Sequence, residues 1–187
     1  KRSAVSEITE DTTLSAAVQG DSQAFSELYE RYVGRIFNYI YYRTGSAVDA
    51  EDLTARVFYR AMGHIQRFKD MGVPFSAWLY RIAHNLVANW HRDNSRRREM
   101  PLEEHTQLPV RGEHPEQRLV RTQEVEGLLR VLRKLSPERQ QLIILKFVEH
   151  LPNAEIAVIM GRSEGAIKSL YHRTLLSLRE ELEKREE

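Results

Sequence analysis

The sequence has 187 residues, enough for one large domain or two small ones, and its 41% hydrophobic and 29% charged residues suit a soluble, helix-rich protein. Its 28 basic and 27 acidic residues leave a net charge of +1, which excludes a sequence-blind nucleic-acid coat and confines any DNA contact to local patches. There are no cysteines, so disulfides, thiolate catalysis and cysteine zinc sites are excluded, and a reducing cytoplasm is the fitting compartment.

Glycine and proline are few and strictly alternating apolar runs are absent, so the expected class is all-α. No apolar run approaches the roughly 20 residues of a membrane span, so no membrane insertion is expected. No signal-like segment opens the sequence, and Lys1 reads as a trimmed or incomplete start. Residues 1–13 are polar and irregular and are expected to form a disordered tail.

From there to residue 92 the pattern is helical. Phe25, Leu28, Tyr29, Tyr32, Val33, Ile36, Phe37 and Ile40 recur at three- and four-residue steps, which predicts one long amphipathic helix ended by Gly45. Asp49, Glu51 and Asp52 open a second helix, placed where the helix dipole favours acids. Its apolar side is Leu53, Val57, Phe58 and Ala61. A metal or acid–base reading of those carboxylates lacks a further ligand on the same face, and a capped, solvated helix start explains them. Phe68 to Phe75, with Lys69, Gly72 and Pro74, reads as a loop, the natural place for a pocket.

Ser76 is the expected cap of a third helix running to about His91. Leu79, Ile82, Ala83 and Leu86 make its buried stripe, while Trp78, Arg81, Asn85, Asn89 and Arg92 fall on another face. That second face mixes a ring, positive charge and amides, the combination that holds unstacked single-stranded bases. Aromatic residues at helical spacing are also ordinary core, and the face alone leaves both readings open.

Residues 93–117 carry Arg96-Arg97-Arg98 and then Pro101, Pro109, Gly112 and Pro115, with acids and little apolar periodicity. This is a flexible linker between two small helical domains, 14–92 and 118–187. Helical pattern resumes at Arg118, and Ser136-Pro137-Glu138 is a helix start with proline at the first helical position. The segment from Asn153 to Arg173 reads as a helix-turn-helix. Ala157 is small where two helices cross, Gly161 can take the positive φ that ends the first, and Ile167 drops back between them. Ser163 is a good N-cap for the second helix. Its first turns offer Arg162, Lys168, Ser169, His172 and Arg173 to the major groove; an ordinary helical hairpin with a solvated face is the plainer alternative. The seven histidines are scattered, and no phosphate-binding glycine loop, nucleophile elbow or HExxH is present, so neither cofactor, metal nor catalytic residue is expected.

Four blocks in order resemble the bacterial RNA polymerase sigma factors of the extracytoplasmic-function group. They are Phe25-Ser26-Glu27-Leu28-Tyr29 with Arg35-Ile36-Phe37; Asp49-Ala50-Glu51-Asp52-Leu53 with Val57-Phe58 and Arg60-Ala61; Phe75 to Ala83; and Leu135-Ser136-Pro137 through the helix-turn-helix to Leu178-Arg179. Ala55 and Arg56 stand where the family often has Gln and an acid, Pro152 replaces its usual serine cap, and Tyr171 replaces a common leucine. The resemblance implies that 14–92 is sigma region 2 and 118–187 is sigma region 4. Asp49, Asp52, Val57, Phe58, Arg60 and Ala61 would dock on core polymerase, whose large-subunit clamp and flap are the implied contacts. Phe68, Lys69, Phe75, Trp78, Arg81, Asn85, Asn89 and Arg92 would melt and hold the non-template strand of the −10 element. Arg162, Ser163, Glu164, Lys168, Ser169, His172 and Arg173 would read the −35 duplex. An anti-sigma factor is an implied partner.

One helix-turn-helix makes too few phosphate contacts for tight binding alone, so free protein is expected to bind DNA poorly and to gain affinity when polymerase fixes both domains. A stand-alone regulator binding an operator would leave the second and third blocks unexplained, and a mimic that binds only a regulatory protein would not need Lys168, His172 and Arg173.

Overall fold

The computed structural model of the protein describes residues 12–70, 73–98, 132 and 134–183, and all regular structure among them is helical. Helix α1 spans 12–18, so Thr12 and Thr13, expected in the tail, are helical; the rest of that tail lies outside the described residues. Helix α2 runs Ser22–Thr44. Asp21 caps it, its carboxylate accepting from the Gln23 and Ala24 amides at 2.9 and 3.2 Å. Gly45 ends it at φ 71°, its amide donating to Tyr41 O at 2.8 Å, as the sequence predicts. Helix α3, Ala47–His64, starts two residues before Asp49, which lies in its first turn, and the Ser46 hydroxyl caps it by accepting from the Asp49 amide at 3.2 Å.

The expected loop after α3 is partly ordered: Ile65–Asp70 forms 3₁₀ turns, with 71–72 outside the described residues. Helix α4 spans Phe75–Arg98. The Trp78 amide donates to Pro74 O at 3.1 Å, so the cap falls at Pro74 and not at Ser76, which is buried inside the first turn. The helix also outruns its expected end near His91, because no glycine or proline stands between Trp90 and Pro101 to stop it. Residues 93–98 of the expected linker are therefore helical, and 99–117, like 118–131, lie outside the described residues.

Helix α5 is Pro137–Ile143, and Ser136 leads it through its carbonyl, with no cap bond from its hydroxyl. The chain then widens into a π-helical turn, Ile144–Val148, closed by Glu149 N donating to Ile144 O at 3.1 Å. Helices α6, Asn153–Met160, and α7, Glu164–Glu183, are the last of the described residues.

Helices α2, α3 and α4 pack on one another around Leu28, Ile36, Ile40, Leu53, Val57 and Leu86, all removed from water. Burying each such side chain stabilises by about 1.5–3 kcal/mol. The apolar core continues without a break into Leu142, Ile144, Leu145, Ile156, Ile159 and Ile167 of the second half. α6 lies against α4, and the π turn lies against α2. Leu132, Leu135 and Ile143, with Leu178 against them, form a separate small cluster.

Candidate nucleic-acid interface

The segment from Asn153 to Arg173 has the predicted helix-turn-helix geometry. Gly161 follows α6 at φ 64°, its amide reaching Val158 O at 3.4 Å while the Arg162 amide reaches Ala157 O at 2.9 Å. That pair of bonds is a Schellman ending, which returns the chain sharply and favours glycine at the positive-φ position. The Ser163 hydroxyl accepts from the Ala166 amide at 3.2 Å and caps α7. Ile167 is fully buried between the helices and Ala157 nearly so. No side chain caps α6: its N-cap position is Pro152, and the Asn153 amide oxygen instead accepts from Lys146 Nζ at 2.8 Å. Tyr171 is half-buried, its ring 6.0 Å from that of Phe147.

Arg162, Ser163, Glu164, Lys168, Ser169, His172 and Arg173 are all exposed at the leading end of α7. Lys168 Nζ lies 3.0 Å from Glu164, Arg162 pairs with Glu138, and Arg173 Nε donates to Ser169 O at 3.4 Å. Exposed pairs of this kind hold by about 0–1 kcal/mol, so both cations can exchange their acids for phosphate at little cost. The start of α7 adds the positive end of a helix dipole, which also favours an anion.

The α4 face is not laid out as expected. Asn85, Asn89 and Arg92 are exposed on successive turns, with Arg92 Nη2 donating to Asn89 Oδ1 at 2.9 Å. Trp78, in contrast, is only 7% exposed. Its ring sits 5.2 Å from Phe68 and 5.7 Å from Phe75, and Phe75 in turn meets Tyr32 at 5.5 Å. Phe68, Phe75 and Trp78 thus form a buried aromatic cluster, because the 3₁₀ turns fold Phe68 back over the start of α4. Arg81 is half-buried, and its Nη2 donates to Val158 O of α6 at 2.7 Å. The side chain of Lys69 lies outside the described residues.

On α3, Asp52 and Arg60 are exposed and Asp49 is partly so. Val57, Phe58 and Ala61, expected at a docking surface, are core residues, and Phe58 meets Tyr29 edge-on at 4.8 Å. The exposed apolar residues of this helix are Val48, Tyr59 (75%) and Met62 (55%). Tyr59 and Met62 are one helical step apart and follow the core residues Phe58 and Ala61 by one position each. Leu53, Val57, Phe58 and Ala61 are the buried side that the sequence predicts; the docking reading reused three of them, whereas Tyr59 and Met62, three residues apart, carried the signal for an exposed face. Among the described residues no group of His, Asp or Glu is arranged to hold a metal ion, and no helix is long and apolar enough to cross a membrane.

The sigma-70 region 2 family model matches residues 28–97, and the sigma-70 region 4 model matches 126–178. The extracytoplasmic-function (ECF) RNA polymerase sigma factor BldN of Streptomyces coelicolor is 38% identical over 162 residues, which are 87% of this chain and 61% of that longer protein. The RNA polymerase sigma factor YlaC of Bacillus subtilis is 31% identical over 165 residues, 88% of this chain and 95% of that one. Among solved structures, CnrH in complex with the cytosolic domain of CnrY has a TM-score of 0.71 at 21% identity, covering 94% of this chain and 97% of that one. That last likeness concerns the fold.

Proposed function

Because the chain belongs to the ECF sigma factors of the sigma-70 family, we propose that it binds core RNA polymerase and directs it to promoters without catalysing a reaction itself. The leading end of α7 reads the −35 duplex, its helix seated in the major groove. Asn85, Asn89 and Arg92 on α4 hold the melted −10 strand, with Arg81 joining them once it leaves Val158. The −10 reading of Phe68, Phe75 and Trp78 becomes one of support: their buried cluster braces the loop against which a base is turned. On α3, Asp52, Arg60 and Asp49 rim a docking patch centred on Tyr59 and Met62. Action on the polymerase places the protein in the cytoplasm. An anti-sigma partner is part of this reading, as membership of the family implies.

The observation that carries the proposal is the helix-turn-helix, in which every residue expected to face DNA is exposed while Ile167 and Ala157 lock the turn. Run-off transcription with sigma-free core polymerase on a library of promoter fragments tests it. Discrete transcripts that Arg173→Ala abolishes, at an unchanged melting temperature, are expected. A tight shift of duplex DNA by the protein alone, with neither transcripts nor core binding, would instead establish a stand-alone regulator.

A further inference from the structure

Glu149 stands just after the π turn, in the second half of the chain, and its side chain is 3% exposed. Its Oε2 accepts from two residues of the first half: Arg35 Nε of α2 at 3.0 Å and the Tyr80 hydroxyl of α4 at 2.6 Å. The Arg35 guanidinium lies 5.7 Å from the Tyr32 ring centre and 6.0 Å from that of Tyr80. Burial first, and the neighbouring carboxylate second, push the Tyr80 hydroxyl far above the ordinary phenol range, so it remains a donor. The next residue, Arg81, makes a further crossing bond, to Val158 O.

Backbone geometry serves the same contact. The wide turn carries Glu149 inward, and His150, immediately after it, holds φ at 53°. A non-glycine residue in that region costs on the order of 1 kcal/mol, and it persists where surroundings impose it. Here the surroundings are α2 and α4, which hold Glu149 on one side of the strained residue, and Leu151, buried on the other.

We propose that Glu149 is an intramolecular latch that closes the two halves on each other and keeps Arg81 from DNA. A buried carboxylate is tolerable only while both donors stay in place, so the contact is made whole or lost whole. While it holds, α6 covers the part of α4 bearing Arg81, and α7 is fixed relative to α4 by the protein itself. Opening hydrates Glu149, frees the Arg81 guanidinium and lets the two halves take the spacing of a promoter. The inhibitory role rests on the function proposed above; the latch itself does not.

The absence of cysteine allows a direct test in the full chain. Spin labels at Glu51→Cys in α3 and Leu176→Cys in α7, both exposed, report the separation of the halves by pulsed electron resonance. The unsubstituted latch should give one short, narrow distance distribution. Glu149→Ala should raise the longer-distance population about tenfold, with Glu149→Gln and Tyr80→Phe in between, at unchanged helical content. Distributions that coincide for all four proteins would overturn the proposal. If Glu149→Ala loses helical content, Tyr80→Phe, which deletes one hydroxyl, decides alone. In transcription at limiting core polymerase, Glu149→Ala should reach half-maximal yield at a lower protein concentration; opening without that gain would preserve the latch and remove its inhibitory role.

Discussion

Arg43 is the most deeply placed charge among the described residues, 2% exposed at the end of α2. Its Nη1 donates to the Tyr39 hydroxyl at 3.0 Å and its guanidinium lies 5.8 Å from the Tyr39 ring centre, while Nε is enclosed with no partner. His84, whose Nδ1 is likewise enclosed, lines the same cleft together with His91 and Gln140. Burial first and Arg43 second lower the His84 pKa below its ordinary value. The unfolded chain takes up a proton at this residue before the folded one does, so the contribution is complete above about pH 6.5 and is lost as pH falls through the lower folded value. Thermal melting between about pH 7.5 and about pH 5.5 should show a steeper loss in the native sequence than in His84→Gln, whereas parallel curves would mean that another group governs acid sensitivity. None of this was legible in the sequence, where His84 is one of seven scattered histidines. A pKa depends on what packs around a ring, and Arg43 is 41 positions away in the chain.

At the scale of elements, chain direction was legible wherever a local device sets it. Gly45 and Gly161 both adopt the left-handed conformation, and Ser163 caps α7 as its position implies. At Gly161 a Cβ would meet nothing within 4 Å, so Gly161→Ala should cost only the backbone strain of a positive φ, about 1–2 kcal/mol. A fall of a few degrees in melting temperature checks this, and no change would show that the turn can relax. What the sequence hid was rotation about a helix axis. A one-position step turns a side chain through about 100°, which separates Phe58, in the core, from Tyr59, in solvent. The three- and four-residue steps placed Phe58 on the buried side, but Trp78, expected on an outer face of α4, turned inward. Met62→Asp should abolish capture by core polymerase while leaving the unfolding free energy within about 0.5 kcal/mol of the native value. Retained capture would move the docking surface elsewhere.

For the molecule as a whole, composition sufficed for an all-helical chain, and four ordered blocks sufficed for the family. The arrangement of the two halves was not accessible in this way. It depends on Arg35, Tyr80 and Arg81 meeting Glu149 and Val158, pairs 69 to 114 positions apart, and each of these residues also makes sense as an ordinary surface or helix residue. Long-range polar contacts of this kind leave no periodic trace. The π turn between α5 and Glu149 then bears on length as well as on sequence. It contains one more residue than a regular α-helical path would need. Removing one residue of 144–148 would let the backbone close into ordinary helix with Glu149 and everything after it still on their present bearing. Adding one residue that no further widening absorbs would instead turn Glu149, α6 and α7 by about 100°, away from the partners they now face, although no side chain outside the turn had been altered. In this stretch the chain can lose a residue but cannot gain one.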